Sequence, residues 1–528
     1  MEVALSGGGE LLVTEKTQLL PASIKAIIST LVLWSAVSCA TIDFDQPKSA
    51  SYVMQDVSAT EAGKATERWA EINGGKSGFY PLIEGMDALG ARLRMLEMAQ
   101  KSVDLQYFLM KNDTAGAVMT KAMLDAANRG VRVRLLLDDV FTTAPDRTFL
   151  LMHQHPNIDV RIFNPISRWG LKAINYVGHF KQANRRMHNK SFTVDNSISI
   201  VGGRNIADEY FQLKDDSVFV DFDMLIFGPV VKDISASFDN YWNHERALPI
   251  EHIAKNKKGE TLEQVMADVS ERLDGIYAEV YNEANESKLL QDLIARRIPL
   301  YPADARVIVD NPDKLINDIS REHMDLANDL REVMLSAEKE IILITPYYVP
   351  GDTGVELVRK IVKSGVKMTI ITNSLASNNH VPVHGAYSRY RKAVIKAGAQ
   401  IYEARATSAR VLSEDGEGPD NLTLHTKVFL IDNRYIFVGS VNLDPRSIEI
   451  NAEMGLLVDS AEMVGNLVGG AQQKLDGIFY RVILNDKDKL EWHAIIDGQK
   501  VVKTIEPDTS WFRRFSAWGQ KIVPESQL

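Results

Sequence analysis

Two stretches decide how this chain is read: His188-Asn-Lys-Ser-Phe-Thr-Val-Asp195 and His425-Thr-Lys-Val-Phe-Leu-Ile-Asp432. Both read His-x-Lys-x-x-x-x-Asp, and they lie 237 residues apart (425 − 188). The same offset carries Gly202 to Gly439 and Asn205 to Asn442, so each stretch continues into a Gly-(Gly/Ser)-x-Asn turn. Such repetition marks an internal duplication. Upstream, Gly130-Val-Arg-Val-Arg-Leu-Leu-Leu-Asp138 matches Gly365-Val-Lys-Met-Thr-Ile-Ile-Thr-Asn373 at an offset of 235 (365 − 130). Each half opens on an apolar strand ending in an aromatic pair, Tyr107-Phe108 and Tyr347-Tyr348, followed by a helical pattern over 115–128 and 353–364. Downstream, an offset of 230 matches Asp221-Phe-Asp223-Met to Asn451-Ala-Glu453-Met. Alternating strands and helices predict an α/β layered unit for each half.

In a strand, residues i and i+2 share a face, so His188 projects with Lys190 and His425 with Lys427. The turns at 202–205 and 439–442 let backbone approach a ligand closely. Two such halves packed together bring two His, two Lys and two Asn to one cleft, which suits a tetrahedral phosphoryl group. Lysines neutralise its oxygens and Asn amides donate to them. One imidazole attacks phosphorus while the other protonates the leaving oxygen.

From about residue 80 to 484 the chain resembles the phospholipase D superfamily, on the paired motifs and their shared Gly and Asn spacing. The resemblance implies a duplicated phospholipase D-like α/β/α sandwich with two halves sharing one active site. Within the superfamily it resembles bacterial cardiolipin synthases, in a lipoprotein-like subgroup. The residues that carry this are Arg185-Arg-Met-His-Asn-Lys190, Val201-Gly-Gly-Arg-Asn-Ile-Ala-Asp-Glu-Tyr-Phe211, Thr372-Asn-Ser-Leu-Ala376 and His384-Gly-Ala-Tyr387-Ser-Arg-Tyr390-Arg391. It implies transfer of a phosphatidyl group to the glycerol hydroxyl of phosphatidylglycerol through a phosphohistidine, with phosphatidylethanolamine as a further candidate donor. The implied catalytic set is His188, Lys190, Asp195, His425, Lys427 and Asp432, with Asn205 and Asn442 on the phosphate and Asp223 and Glu453 orienting the histidines. Asp195 and Asp432 also read as fold-stabilising carboxylates that do not touch substrate. His188 is the expected nucleophile and His425 the proton donor; the symmetry of the repeat leaves the reverse open. His384 and Tyr387 are implied to border the acceptor site. Neither metal nor organic cofactor is expected: the pair His380 and His384 flanks Pro382 and lacks a further ligand.

The 528 residues are 45% hydrophobic and 25% charged, which excludes wholesale disorder and a polytopic membrane protein. Acidic residues exceed basic ones 70 to 60, a net charge of −10 that disfavours a nucleic-acid partner. Cys39 is the one cysteine, so no intramolecular disulfide forms. It follows an apolar run from Ala26 to Val37, which is too short to span ~30 Å of hydrocarbon but suits a signal peptide. Ala36-Val37-Ser38-Cys39 resembles a bacterial lipoprotein box with alanine where leucine is usual, which implies lipidation of Cys39. Gly7-Gly8-Gly9-Glu10 reads as a translated ribosome-binding site, placing the expected start near Leu12 or Val13. The expected location is a membrane-associated, periplasm-facing lipoprotein of a Gram-negative bacterium.

The predicted organisation is a signal peptide over 1–39, a tether over 40–77, a first half over 78–249, a helical connector over 250–302, a second half over 303–485 and a tail over 486–528. Arg168-Trp169, Lys172, Tyr176, His179-Phe180-Lys181 and Arg185-Arg186 mix bases with aromatics ahead of the first motif. That lip suits a lipid surface, single-stranded nucleic acid or plain solvent. The tail stretch from Trp511 to Trp518 is a second candidate for membrane contact, or it docks on the protein itself. Three functions compete: a phosphatidyltransferase, a phospholipase D-type hydrolase of phospholipids or nucleic acid, and a lipid-binding scaffold without turnover. Retention of both histidines and both lysines favours an enzyme.

Overall fold

The computed structural model describes residues 42–168, 180–213, 218–256, 259–273, 275–286, 300–408, 421–472 and 475–520. Cys39 and the lip residues Trp169, Lys172, Tyr176 and His179 lie outside them. Among the described residues no helix is long and apolar enough to cross a membrane.

Among the described residues the predicted duplication is an α/β structure built on one 18-stranded sheet, with a second sheet of two strands. In the first half the strands run Ala247–Pro249, Ile158–Phe163, Arg132–Asp138, Ser102–Tyr107, Ser191–Val194, Ile198–Gly202, Asp223–Phe227 and Ser77–Leu82. The second half repeats the core of that order as Gln400–Ala404, Lys367–Asn373, Glu340–Ile344, Val428–Ile431, Tyr435–Gly439, Met454–Asp459 and Tyr301–Val309. The two sheets join edge to edge where Ser77 to Phe79 pair antiparallel with Ala303 to Tyr301. The expected helices are present as Thr114–Asn128 and Gly351–Lys363.

The strands after each His-x-Lys lack hydrophobic alternation because both of their faces are buried. Val201, Met224 and Ile226 of the first half pack with Val428, Leu430, Ile436, Val438, Leu456 and Val458 of the second. The alternate residues Phe192, Val194, Ile200 and Leu225 face the first half's own core, and Phe429, Ile431 and Phe437 face the second's. Period-2 geometry thus uses one strand to build a half and to join it to its twin.

Each motif strand turns back through Asp-Asn in the left-handed region: Asp195 (φ 48°) with Asn196 (φ 46°), and Asp432 (φ 56°) with Asn433 (φ 55°). Asp and Asn tolerate that conformation. The Asp195 carboxylate accepts the backbone N–H of Gln100, Lys101 and Ser102 at 2.8–3.0 Å. Asp432 does the same for Glu338, Lys339 and Glu340 at 2.7–3.1 Å. Burial raises the Asp432 pKa, but these amides outweigh it and hold the carboxyl below its usual range. Their placement in the catalytic set is therefore corrected. Both carboxylates lie at the far end of the motif strand from its histidine and pin the start of the neighbouring strand.

Three flanking segments pack on the two halves. Within the span expected as a tether, residues 48–53 lie along the first half: Lys48 donates to the His244 carbonyl at 2.5 Å and Val53 N–H to Asp239 at 2.8 Å. A helix, Glu61–Ile72, follows. In the connector span a helix runs Leu262–Arg272, and Val265, Val269 and Leu273 bury it against the first half. The tail adds two strands, Leu490–Ile496 and Gln499–Lys503, to the second half's edge, and buried Trp492 seals it there.

Candidate active site

Each histidine follows a residue clamped by the end of a parallel strand. Asp138 accepts Met187 N–H at 3.0 Å, and Asn373 exchanges two hydrogen bonds, 2.7 and 2.9 Å, with the backbone of Leu424. Asp138 and Asn373 are equivalent in the repeat, so both halves solve the same positioning problem with different chemistry. Burial pushes the Asp138 carboxyl up to about 6, while Arg186 opposes this.

The halves then exchange carboxylates. His188 of the first half places Nδ1 2.8 Å from Glu453 Oε2 of the second. His425 of the second half places Nδ1 2.6 Å from Asp221 Oδ2 of the first. The backbone repeats this exchange: His188 N–H donates to the Ala452 carbonyl and His425 N–H to the Val220 carbonyl, both at 2.8 Å. Neither His188 nor His425 takes its carboxylate from its own half.

Glu453 thus sits where the resemblance implied, but Asp223 does not. Asp223 forms a buried cluster with Arg92 at 2.8 Å and Arg204 at 3.5 Å, and accepts Arg204 N–H at 3.2 Å. It fixes the turn that carries Asn205 and touches no histidine. Strand register explains the correction. Gly202 pairs with Asp223 and its equivalent Gly439 pairs with Gly455, so the structural offset is 232 (455 − 223) and not 230. That offset maps Asp221 onto Glu453. The aromatic pairs slip likewise. Met110 bridges Ile206 as Tyr348 bridges Leu443, so Tyr107-Phe108 and Tyr347-Tyr348 are not equivalent.

Lys190 and Lys427 are buried beside the histidines. Lys190 Nζ donates to the His188 carbonyl at 2.6 Å, and Lys427 Nζ lies 2.9 Å from His425 Nδ1. Burial, opposed by Glu453, lowers the Lys190 pKa to about 7; burial, opposed by Asp221, lowers Lys427 to about 8. Burial and then Lys190, Lys427 and Arg446 hold His188 well below its ordinary value. Burial and Lys427 bring His425 to about 4 against the pull of Asp221. Burial raises Asp221, yet Lys427 and His425 overcome this and keep it below the usual range; Glu453 is pushed up to about 7 by burial despite Lys190. Arg446 is one of the cations that lower His188. It is anchored on the Asn184 side chain at 2.6 Å and its carbonyl at 2.9 Å, and the repeat puts Glu209 in its place in the other half.

Aromatic rings wall the imidazoles. Phe108 meets His188 edge-on at 4.7 Å; Tyr210 meets His425 edge-on at 5.2 Å and Phe219 stacks on it at 5.4 Å. Asn205 Nδ2 donates to the Tyr210 hydroxyl at 2.9 Å. Buried Oδ1 atoms of Asn205 and Asn442 have no protein partner. Ser440 donates to Glu453, whereas its counterpart is Gly203, where an added Cβ would stand 2.2 Å from Asp221 Oδ1. Sequence reasoning passed over Asp221, Ser440, Tyr210 and Phe219; only the cross-strand register singles out the first. His384 and Tyr387, implied to border the acceptor site, are both buried. They sit in a buried network with Arg391 and Glu403, with His384 Nε2 3.0 Å from Arg391 and the Tyr387 hydroxyl 2.8 Å from Glu403.

The duplicated α/β fold and its paired His-Lys motifs place the chain in the phospholipase D-like class. The chain matches the family described as "Cardiolipin synthase, PLD-like domain" over residues 93–242 and 330–489, and it belongs to that family. It is 36% identical over 459 residues to cardiolipin synthase C of Escherichia coli (strain K12), covering 86% of this chain and 96% of that protein. It is 32% identical over 500 residues to an uncharacterized protein of Helicobacter pylori (strain ATCC 700392 / 26695), covering 93% and 97%. Among solved structures, phosphatidylserine synthase of Haemophilus influenzae Rd KW20 superposes with a TM-score of 0.53 at 13% identity, over 79% of this chain and 91% of that one, which shows a shared fold.

Proposed function

We propose that this protein is a phosphatidyltransferase that makes cardiolipin from phosphatidylglycerol through a phosphohistidine. The observation that carries the reading is the reciprocal exchange His188–Glu453 and His425–Asp221 around two buried lysines. With Nδ1 committed to Glu453, His188 attacks phosphorus through Nε2; the P–N bond forms as the P–O bond to the head group breaks. His425 gives its proton to the departing oxygen, leaving glycerol or ethanolamine according to the donor. It then takes the proton of the incoming glycerol hydroxyl, which attacks phosphorus and frees His188. The nucleophile must be neutral, and Arg446 adds to the positive field that holds His188 in that form. Binding of the phosphodiester anion offsets the lysine field and raises His425 toward its charged form. Lys190, Lys427, Asn205 and Asn442 surround the developing oxyanion. The likeness to cardiolipin synthase C supports phosphatidylglycerol as acceptor, and the proposal includes lipid attachment at Cys39 in a membrane-associated protein. The test is purified protein with mixed phosphatidylglycerol and phosphatidylethanolamine, resolved by thin-layer chromatography. Cardiolipin is expected; phosphatidic acid alone would make the protein a hydrolase.

The lysines set a pH dependence. A phosphodiester anion binds the protonated amines, so affinity is full below their free-enzyme values and falls as the pH rises through them. With Lys190 at about 7 and Lys427 at about 8, KM for lipid should climb above about pH 7, by up to about tenfold per pH unit for one lysine. A KM that stays flat to about pH 9 would contradict the role given to the pair.

Because side-chain cations supply the charge in this scheme, chelators should leave most activity intact, unlike in two-metal phosphodiesterases. Loss on chelation with rescue by one particular divalent ion would refute it.

A further inference from the structure

We propose that the helix Trp511–Gly519 is an interfacial element that seats the mouth of the cleft on an anionic phospholipid surface. Its large aromatics are turned outward: Trp511 is 70% exposed, Phe512 71%, Phe515 52% and Trp518 65%. Trp511 stacks on Phe515 at 5.6 Å and Phe515 on Trp518 at 5.9 Å, so the i, i+4, i+7 spacing forms one face. Ala517 is buried on the protein side. A contiguous exposed aromatic face marks an interaction site, and Trp prefers the boundary between hydrocarbon and water.

Two features select lipid as the occupant. The helix itself carries two half-buried cations, Arg513 and Arg514, which also donate to backbone carbonyls, and no carboxylate, on a chain whose net charge is −10; this charge suits an anionic surface. The helix is also continuous with the cleft. Arg513 donates to the carbonyls of Leu375 at 2.9 Å and Asn378 at 2.5 Å. Next along that loop, Asn379 accepts the Tyr347 hydroxyl at 2.7 Å and His380 meets the Tyr347 ring edge-on at 5.4 Å. The same loop departs from Asn373, the residue that clamps the backbone ahead of His425. Ser510 caps the helix, accepting Arg513 N–H at 3.2 Å, and the preceding Glu506 is tied to Arg391 at 2.9 Å. The first turn of the helix is therefore held on the loop that leads from Asn373. The element would lower the effective distance between bilayer and cleft without touching the reacting atoms, and the inference rests on the lipid substrate proposed above.

The test uses the full-length protein and hydrogen-exchange mass spectrometry with phosphatidylglycerol vesicles. Peptides covering 509–519 should gain protection on vesicles, while the hairpin 490–503 should not. The triple variant Trp511→Ser, Phe515→Ser, Trp518→Ser alters only residues at least half exposed. It should partition about tenfold less onto vesicles and show a similar rise in KM for vesicle lipid. Its turnover of a monomeric short-chain phosphatidylglycerol should be unchanged. Equal partitioning and equal KM in variant and parent would overturn the inference. So would protection that appears without vesicles, whether it grows with protein concentration, as for a second copy, or is constant, as for cover by the chain's own residues. Vesicle protection in a protein that turns over no lipid would sink the proposed function and leave this inference standing; normal turnover with no protection would do the opposite.

Discussion

His188→Ala is expected to abolish phosphatidyl transfer, and His425→Ala to reduce it by roughly 10²–10⁴-fold, the usual worth of general acid–base assistance. The double variant should be little worse than His188→Ala, because two groups of one cleft act as a unit and their losses do not multiply. The reciprocal carboxylate contacts, 2.8 Å to Glu453 and 2.6 Å to Asp221, are the reason to expect one cleft and not two. A substrate whose leaving group needs no proton separates the roles. With it, His425→Ala should still accumulate a phosphatidyl adduct on His188, visible by peptide mass spectrometry. An adduct on His425 in the His188→Ala protein would reverse the assignment. Losses that multiply would argue against a shared cleft altogether.

The second large effect distinguishes two aspartates that stand two residues apart. Asp221→Asn should leave the fold intact and cost about 10³–10⁴-fold in kcat, since an amide cannot hold the His425 tautomer or stabilise its imidazolium. Asp223→Asn should act on the fold. It leaves Arg92 and Arg204 buried without their carboxylate, a defect of about 3–5 kcal/mol read by denaturant unfolding. Any fall in its activity should follow the fraction folded and not the pH profile of His425. If Asp223→Asn proved stable and catalytically dead while Asp221→Asn remained active, the register-based assignment would be wrong.

Much of this molecule was readable along the chain. The offset of 237 residues between the motifs gave the duplication, and the i, i+2 spacing put His188 with Lys190 and His425 with Lys427. The helices after the opening strands were placed within two residues. These features depend on neighbours in sequence, where propensity and side-chain parity act over a few residues.

What the chain alone could not decide were the features set by pairing between distant strands. A slip of two residues keeps every side chain on its original face, so hydrophobic patterning does not distinguish Asp221 from Asp223 as the counterpart of Glu453. Only the hydrogen-bonded register, Gly202 with Asp223 against Gly439 with Gly455, separates them. The same holds for the aromatic pairs, for the docking of residues 48–53 on the first half, and for the burial of His384. Above all, that each histidine takes its carboxylate from the other half follows from how the two sheets' inner faces pack, through Val201, Met224 and Ile226 against Val438, Leu456 and Val458. Sequence determined which groups this protein brings to a phosphoryl centre; tertiary structure decided which carboxylate serves which imidazole, because that choice is made by strand register and interface packing across more than 200 residues (|i−j| of 265 and 204).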